Sequence, residues 1–193
     1  MGGIELTAYA PSDLNGVNYW EESETGPDGV TRLIDEQLSF ENDVAKLWAR
    51  YEYLPSGGEP ILDETRILTF HPPQTHFYIM DWDACWTARS EVVFDRTPVT
   101  EETPWGGYAG LSWRAARTLT NFRAISSEGA VDHEVEHSRA RWVDFKPGFG
   151  YISPAFVMNE PFALQTGDSL NLKYRILVHD GSADAVMLQK LAP

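Results

Sequence analysis

Near the C-terminus, apolar and polar residues alternate one for one. Leu170, Leu172, Tyr174, Ile176 and Val178 alternate with Ser169, Asn171, Lys173, Arg175 and Leu177. Successive side chains of a strand point to opposite faces, so this spacing yields one apolar and one mostly polar face. An antiparallel strand with one solvated side has that pattern. Gly167-Asp168 ahead of it and Asp180-Gly181 behind it carry the turn chemistry that bounds a strand.

The same alternation predicts strands over Val44–Leu54, Ile61–Phe70, His76–Trp86, Glu91–Asp95, Tyr108–Ala115, Asn121–Ser126, Ser138–Phe145 and Gly150–Val157. Turn clusters separate them, among them Pro55-Ser56-Gly57-Gly58, Pro72-Pro73 and Pro147-Gly148. One short helix is predicted over Ala183–Leu191, and Asn42–Trp48 could also open helically. Many strands with short Gly/Pro connections predict an all-β fold, an antiparallel β-sandwich with a short C-terminal helix. The 193 residues fit one domain, with residues 1–13 as an irregular lead-in and 183–193 as helix and tail.

Charge narrows the partners. Twenty-nine acidic residues against 15 basic ones give a net charge of −14. Such a surface repels phosphate backbones and anionic lipid, so neither nucleic acid nor membrane is expected as a partner. No apolar run approaches the ~20 residues a spanning helix needs. The opening MGGIELTAYA has no basic region and no long apolar stretch, so the chain as it stands reads as cytoplasmic. A missing leader would make it secreted or periplasmic. Cys85 is the single cysteine, which excludes an internal disulfide and a cysteine zinc cluster. Its aromatic surroundings predict a buried, inert thiol.

Several phrases taken in order resemble one bacterial family. They are Asn15–Trp20 (NGVNYW), Glu64–Phe70 (ETRILTF), Gly106–Thr118 (GGYAGLSWRAART), Arg141–Phe145 (RWVDF) and Glu160–Gly181. The chain looks like the uncharacterised family labelled "methane oxygenase PmoA", as a shortened member or a fragment. The resemblance covers most of the chain after Asp13. It implies a large β-sandwich similar to galactose mutarotase-like domains, in the supersandwich style, and no methane chemistry. Two departures stand out. The family's paired histidines are missing from Leu6–Leu14, and its His-Pro and Asn-Pro segment is missing after Phe145. Polar groups that would complete a family site are therefore absent.

The residues themselves offer a few sites. Glu64 and Arg66 sit two apart on a predicted strand, sharing an otherwise apolar face with Leu62, Leu68 and Phe70. Such a pair either braces the sheet or faces a cleft. In a cleft, Glu64 is the candidate general base and Arg66 the clamp for an oxyanion or hydroxyl. Candidate ligand contacts are Arg114, Trp105 in a Gly/Pro loop, and Trp142 with Asp144 on one strand face. Aromatic faces beside such groups suit sugar rings, which stack their C–H patches and hydrogen-bond through their hydroxyls.

His133-Glu134-Val135-Glu136-His137 matches H-E-x-x-H, a zinc motif when helical. Gly129 ahead of it and a predicted strand behind favour a polar hairpin flank, so no metal or other cofactor is expected. Asp81 and Asp83 share a strand face, better read as solvated than as a glycosidase pair. His71 and His179 end strands and read as surface residues.

The expected function is a carbohydrate-related, enzyme-like domain with a degenerate or incomplete site. The partner is then a saccharide or other small polar ligand. Two alternatives stand: a non-catalytic carbohydrate-binding or protein-interaction module, and, more remotely, a zinc hydrolase at His133 and His137. Oligomeric state stays open.

Overall fold

The computed structural model describes residues 13–19, 29–96, 101, 111, 113–114, 123–135, 138–146, 151–179 and 184–192. Among these the strands are β1 (Asp13–Leu14), β2 (Val17–Asn18), β3 (Val30–Glu41), β4 (Val44–Leu54), β5 (Leu62–Phe70), β6 (Phe77–Ala88), β7 (Val92–Asp95), β8 (Trp113–Arg114), β9 (Arg123–Ser126), β10 (Val143–Lys146), β11 (Tyr151–Ile152), β12 (Phe162–Leu164) and β13 (Ser169–His179). One short helix, α1 (Ala185–Leu191), follows. The fold class is the expected one, an antiparallel β-sandwich with one short C-terminal helix.

The chain divides into two compact units, one built on residues 1–22 and 93–162, the other on 23–92 and 163–191. The second unit carries a five-stranded sheet in the order β13-β6-β5-β4-β3. Strands β3 to β6 form it as consecutive hairpins, and β13 adds on the far side of β6.

The β3–β4 turn consists of Asn42 and Asp43, both at positive φ (52° and 62°). A two-residue hairpin loop with left-handed backbone at both positions matches the twist of its strands, and Asn and Asp tolerate that conformation better than other side chains. A helical opening at Asn42–Trp48 is thereby corrected: Val44–Leu54 is strand throughout. Strand β3 itself carries no predicted counterpart. Its register slips between Leu33 and Asp35, leaving Ile34 as an extra residue.

One face of this sheet is the core. On β6, buried Met80, Trp82, Ala84, Trp86 and Ala88 alternate with half-buried Asp81, Asp83, Cys85 and Thr87. Ala49 and Tyr53 from β4 and Leu62 and Glu64 from β5 join the buried set. Trp82 meets Trp86 edge-on at 6.3 Å between ring centroids and Tyr174 at 5.5 Å. Each such contact adds about 0.5–1.5 kcal/mol beyond the area buried. Ala88 N–H donates to Asp168 O, and Gly167 N–H donates to Ala88 O, clasping the end of β6 to the start of β13.

In the other unit, Asn15 and Gly16 turn the β1–β2 hairpin at φ 55° and 76°. Asn15 also seals that hairpin to β7, donating its N–H to Val93 O and accepting Val93 N–H on Oδ1. Phe94, Phe156 and Phe162 cluster with centroids 5.7–6.4 Å apart. Two ribbons complete the described part, β9 with β10 and β8 with β11.

Predicted and observed boundaries differ most here. Strand β10 begins at Val143, and Ser138 closes a turn by donating its N–H and its hydroxyl to Val135 O. Strand β11 ends at Ile152, after which Pro154 and the turn Ala155–Met158 break the ladder. Of the predicted strand Tyr108–Ala115, only Leu111, Trp113 and Arg114 are among the described residues.

Candidate functional site

Glu64 and Arg66 project from one face of β5, as their spacing requires. Glu64 is 0% exposed and the Arg66 side chain 11%. Arg66 folds back along its own strand, donating from Nε to Glu64 Oε1 at 2.6 Å and from Nη2 to Oε2 at 2.8 Å. Tyr53 Oη donates to Glu64 Oε2 as well.

Register explains the geometry. Arg66 stands between Ala49 on β4 and Ala84 on β6, so small neighbours leave room for the guanidinium to bend toward Glu64. Glu64 stands between Tyr51 and Trp86. The Arg66 guanidinium lies 4.6 Å from the Tyr51 ring centroid, a cation–π contact.

Burial would pull the Arg66 pKa down, but the charge and hydrogen bonds of Glu64 outweigh it and hold the pKa above the ordinary arginine value. Tyr53 is pushed well above the tyrosine range, first by burial and then by the Glu64 charge. Its phenol therefore stays a donor. Tyr51 and Tyr53 escape a reading of β5 alone. Pairing the two predicted strands across the Pro55–Gly58 turn would have found Tyr51 opposite Glu64.

A general base needs an exposed lone pair within reach of a substrate proton. Glu64 instead has both oxygens engaged by internal donors and no exposure. In this structure the carboxylate and the guanidinium satisfy each other.

The remaining candidates lie in the other unit or outside the described residues. Arg114 lies in β8, and only its backbone is described. Trp105 falls outside the described residues. Trp142 is half-buried just before β10, and its carbonyl accepts the Ser127 N–H. Asp144, also half-buried, stands opposite Ile125 in the β9–β10 ribbon. Arg114, Trp142 and Asp144 belong to one unit and the Glu64–Arg66 pair to the other.

His133 sits exposed in a 3-10 turn, Asp132–Val135, and His137 falls outside the described residues. The turn is neither α-helical nor extended. Among the described residues no cluster of three His, Cys, Asp or Glu could hold a metal ion.

The opposite face of the five-stranded sheet is polar and laid out in rows. Gln37, Trp48, Ile67, Asp83 and Lys173 form one row across all five strands. Asp35, Arg50, Thr65, Cys85 and Asn171 form the next. Trp48 is half-buried, and so is Cys85, on this polar face and not in the core as expected. Around the two rows the charges are paired. Arg89 bridges Glu52 and Asp63 at 2.6 and 2.7 Å, and Lys173 approaches Asp83 at 3.5 Å. Arg175 grips Asp81 through Nε and Nη2 at 2.6 and 2.8 Å, and His71 Nε2 lies 2.8 Å from the same carboxylate. Those contacts, the Arg175 hydrogen bonds foremost, hold Asp81 below the usual carboxylate range against the opposing effect of burial. The solvated strand face expected for Asp81 and Asp83 is this surface.

A family of unknown function, DUF6807, matches residues 8–151. No curated protein and no solved structure matches the chain. The family expected from the sequence is thereby corrected: the match is to DUF6807, and the PmoA label and the likeness to galactose mutarotase-like domains do not carry forward. No helix among the described residues is long and apolar enough to cross a membrane.

Proposed function

The chain belongs to the DUF6807 family of unknown function, and from that premise we propose that it is a non-catalytic carbohydrate-binding module. Its binding surface is the polar sheet face around Trp48. One observation carries this reading: Trp48 lies half-buried within a row whose other members, Ile67 aside, are hydrogen-bonding side chains. An indole ring offers a stacking partner for the C–H patch of a pyranose, while Gln37, Arg50, Asp83 and Asn171 supply donors and acceptors for its hydroxyls. Strand spacing places Trp48 and Asp83 roughly 10 Å apart, enough to span two sugar rings. Lys173, 3.5 Å from Asp83, helps hold that carboxylate in place, which limits the entropy lost when a ligand binds.

The enzyme-like alternative needs Glu64 as an available base, and its enclosure by Arg66 and Tyr53 argues against that role. Calorimetry against a glycan panel tests the proposal, using wild type, Trp48→Ala and Glu64→Gln. Trp48→Ala is expected to weaken binding about tenfold, the equivalent of one aromatic contact, while the protein stays folded. No binding by wild type at millimolar glycan sinks the reading. So does binding that Trp48→Ala leaves intact.

A further inference from the structure

Strand β3 is an edge of the five-stranded sheet, and among the described residues no strand pairs with its outer side. It is 12 residues long, and Leu33, Leu38 and Phe40 are 48%, 74% and 72% exposed. A long edge with exposed apolar side chains is a template for another strand. We propose that the occupant is β3 of a second copy of this chain, antiparallel about a two-fold axis at Gln37, which joins two five-stranded sheets into one.

The sequence of β3 complements itself in that register. Counting out from the two-residue Asn42–Asp43 turn, Glu41, Ser39, Gln37 and Asp35 direct their backbone groups to β4. The backbone groups of Phe40, Leu38 and Glu36 then point outward, and past the extra residue Ile34 so do those of Leu33. With Gln37 on the axis, Leu38 faces Glu36 of the copy and Phe40 faces Leu33 of the copy. None of these four directs its N–H or C=O to β4, and among the described residues no other strand pairs with them. Their side chains lie on the same face of the joined sheet, so Phe40 covers Leu33 at both ends.

On the other face, Arg32 stands opposite Glu41 of the copy, twice over. The Arg32 side chain is 52% exposed and gives one N–H to Glu52, which leaves the rest of its fork for Glu41. Asp35 stands opposite Ser39. No like charges oppose each other. The two nearest registers that keep both faces matched lack this property. Centring on Glu36 sets that acid against its own copy, and centring on Leu38 sets Asp35 against Glu41. Three acids along the edge, with the irregularity at Ile34, therefore reject most strands and admit one arrangement of this one.

Sedimentation velocity at physiological ionic strength, from micromolar to a few hundred micromolar, tests association without any glycan, so its outcome is independent of sugar binding. A dimer is expected. Leu38→Pro removes an N–H that faces outward, and the expected result is a folded monomer. Register is tested by cross-linking in a Cys85→Ser background. Gln37→Cys meets its own copy within disulfide reach and is expected to couple under mild oxidation, while Ser39→Cys, facing Asp35, is not. A monomer across the concentration range overturns the proposal. So does a dimer that survives Leu38→Pro, or a Ser39→Cys variant that couples as fast as Gln37→Cys.

Discussion

Glu64 and Arg66, two residues apart on β5, close on each other through a two-bond fork within the buried face of the sheet. An ion pair so placed is more costly to break than it is stabilising to have. Removing one partner strands the other charge in a low-dielectric interior.

Breaking the fork is therefore expected to unfold the protein more easily without opening a pocket. Glu64→Gln should cost about 3–5 kcal/mol in urea denaturation, because Arg66 is left charged and buried. Tyr53→Phe, which removes one donor to the carboxylate, should cost about 1–3 kcal/mol. The double variant Glu64→Leu/Arg66→Met should cost less than the sum of its single changes. Additive losses would show that the two side chains act separately.

Acid is expected to loosen the β6–β13 side of the sheet through Asp81. Its folded pKa lies below the unfolded value, chiefly because of Arg175. Its contribution is thus fully present above an unfolded pKa of about 3.9 and is lost as pH falls through the lower folded value. Urea midpoints between pH 2 and 6 should separate wild type from Asp81→Asn above about pH 4 and converge below it. A gap that persists at pH 2 would mean that packing, not charge, carries the difference.

The β3–β4 turn gives a backbone prediction. Asp43 adopts φ 62°, where a β-branched side chain is strained. Asp43→Val should cost about 1–2 kcal/mol, while Asp43→Gly should be neutral or mildly stabilising. Equal stability of the two variants by thermal unfolding would contradict the turn geometry.

The strands with one wet and one dry face were legible as alternation. Val44–Leu54 matches β4 in full, and β5, β6 and β13 differ only at their ends. The face shared by Glu64 and Arg66 followed from the same period. Strand β3 was not legible, because Leu33 and Ile34 are adjacent apolar residues that straddle an irregularity and throw the later alternation out of phase. Its edge position also leaves Asp35, Glu36 and Gln37 exposed in a run that looks like a loop. Tyr53 and Trp48 escaped notice for a different reason. Their roles depend on which residue stands across from them, and pairing between strands is not written in either strand alone.

The clasp at Ala88 and Gly167 has a bearing on how the chain folds. Strands β3 to β6 close one short turn after another, whereas β13 must find β6 after an excursion of roughly 80 residues, which adds about 2 kcal/mol of closure entropy. Nucleation should therefore begin in the meander, with the C-terminal strand docking late. Pulsed hydrogen-exchange labelling during refolding should show amides of β4 and β5 protected before those of β13. The last strand is then the slow step of assembly, and Trp82, which meets Tyr174 of β13, stays open to misassociation until it arrives.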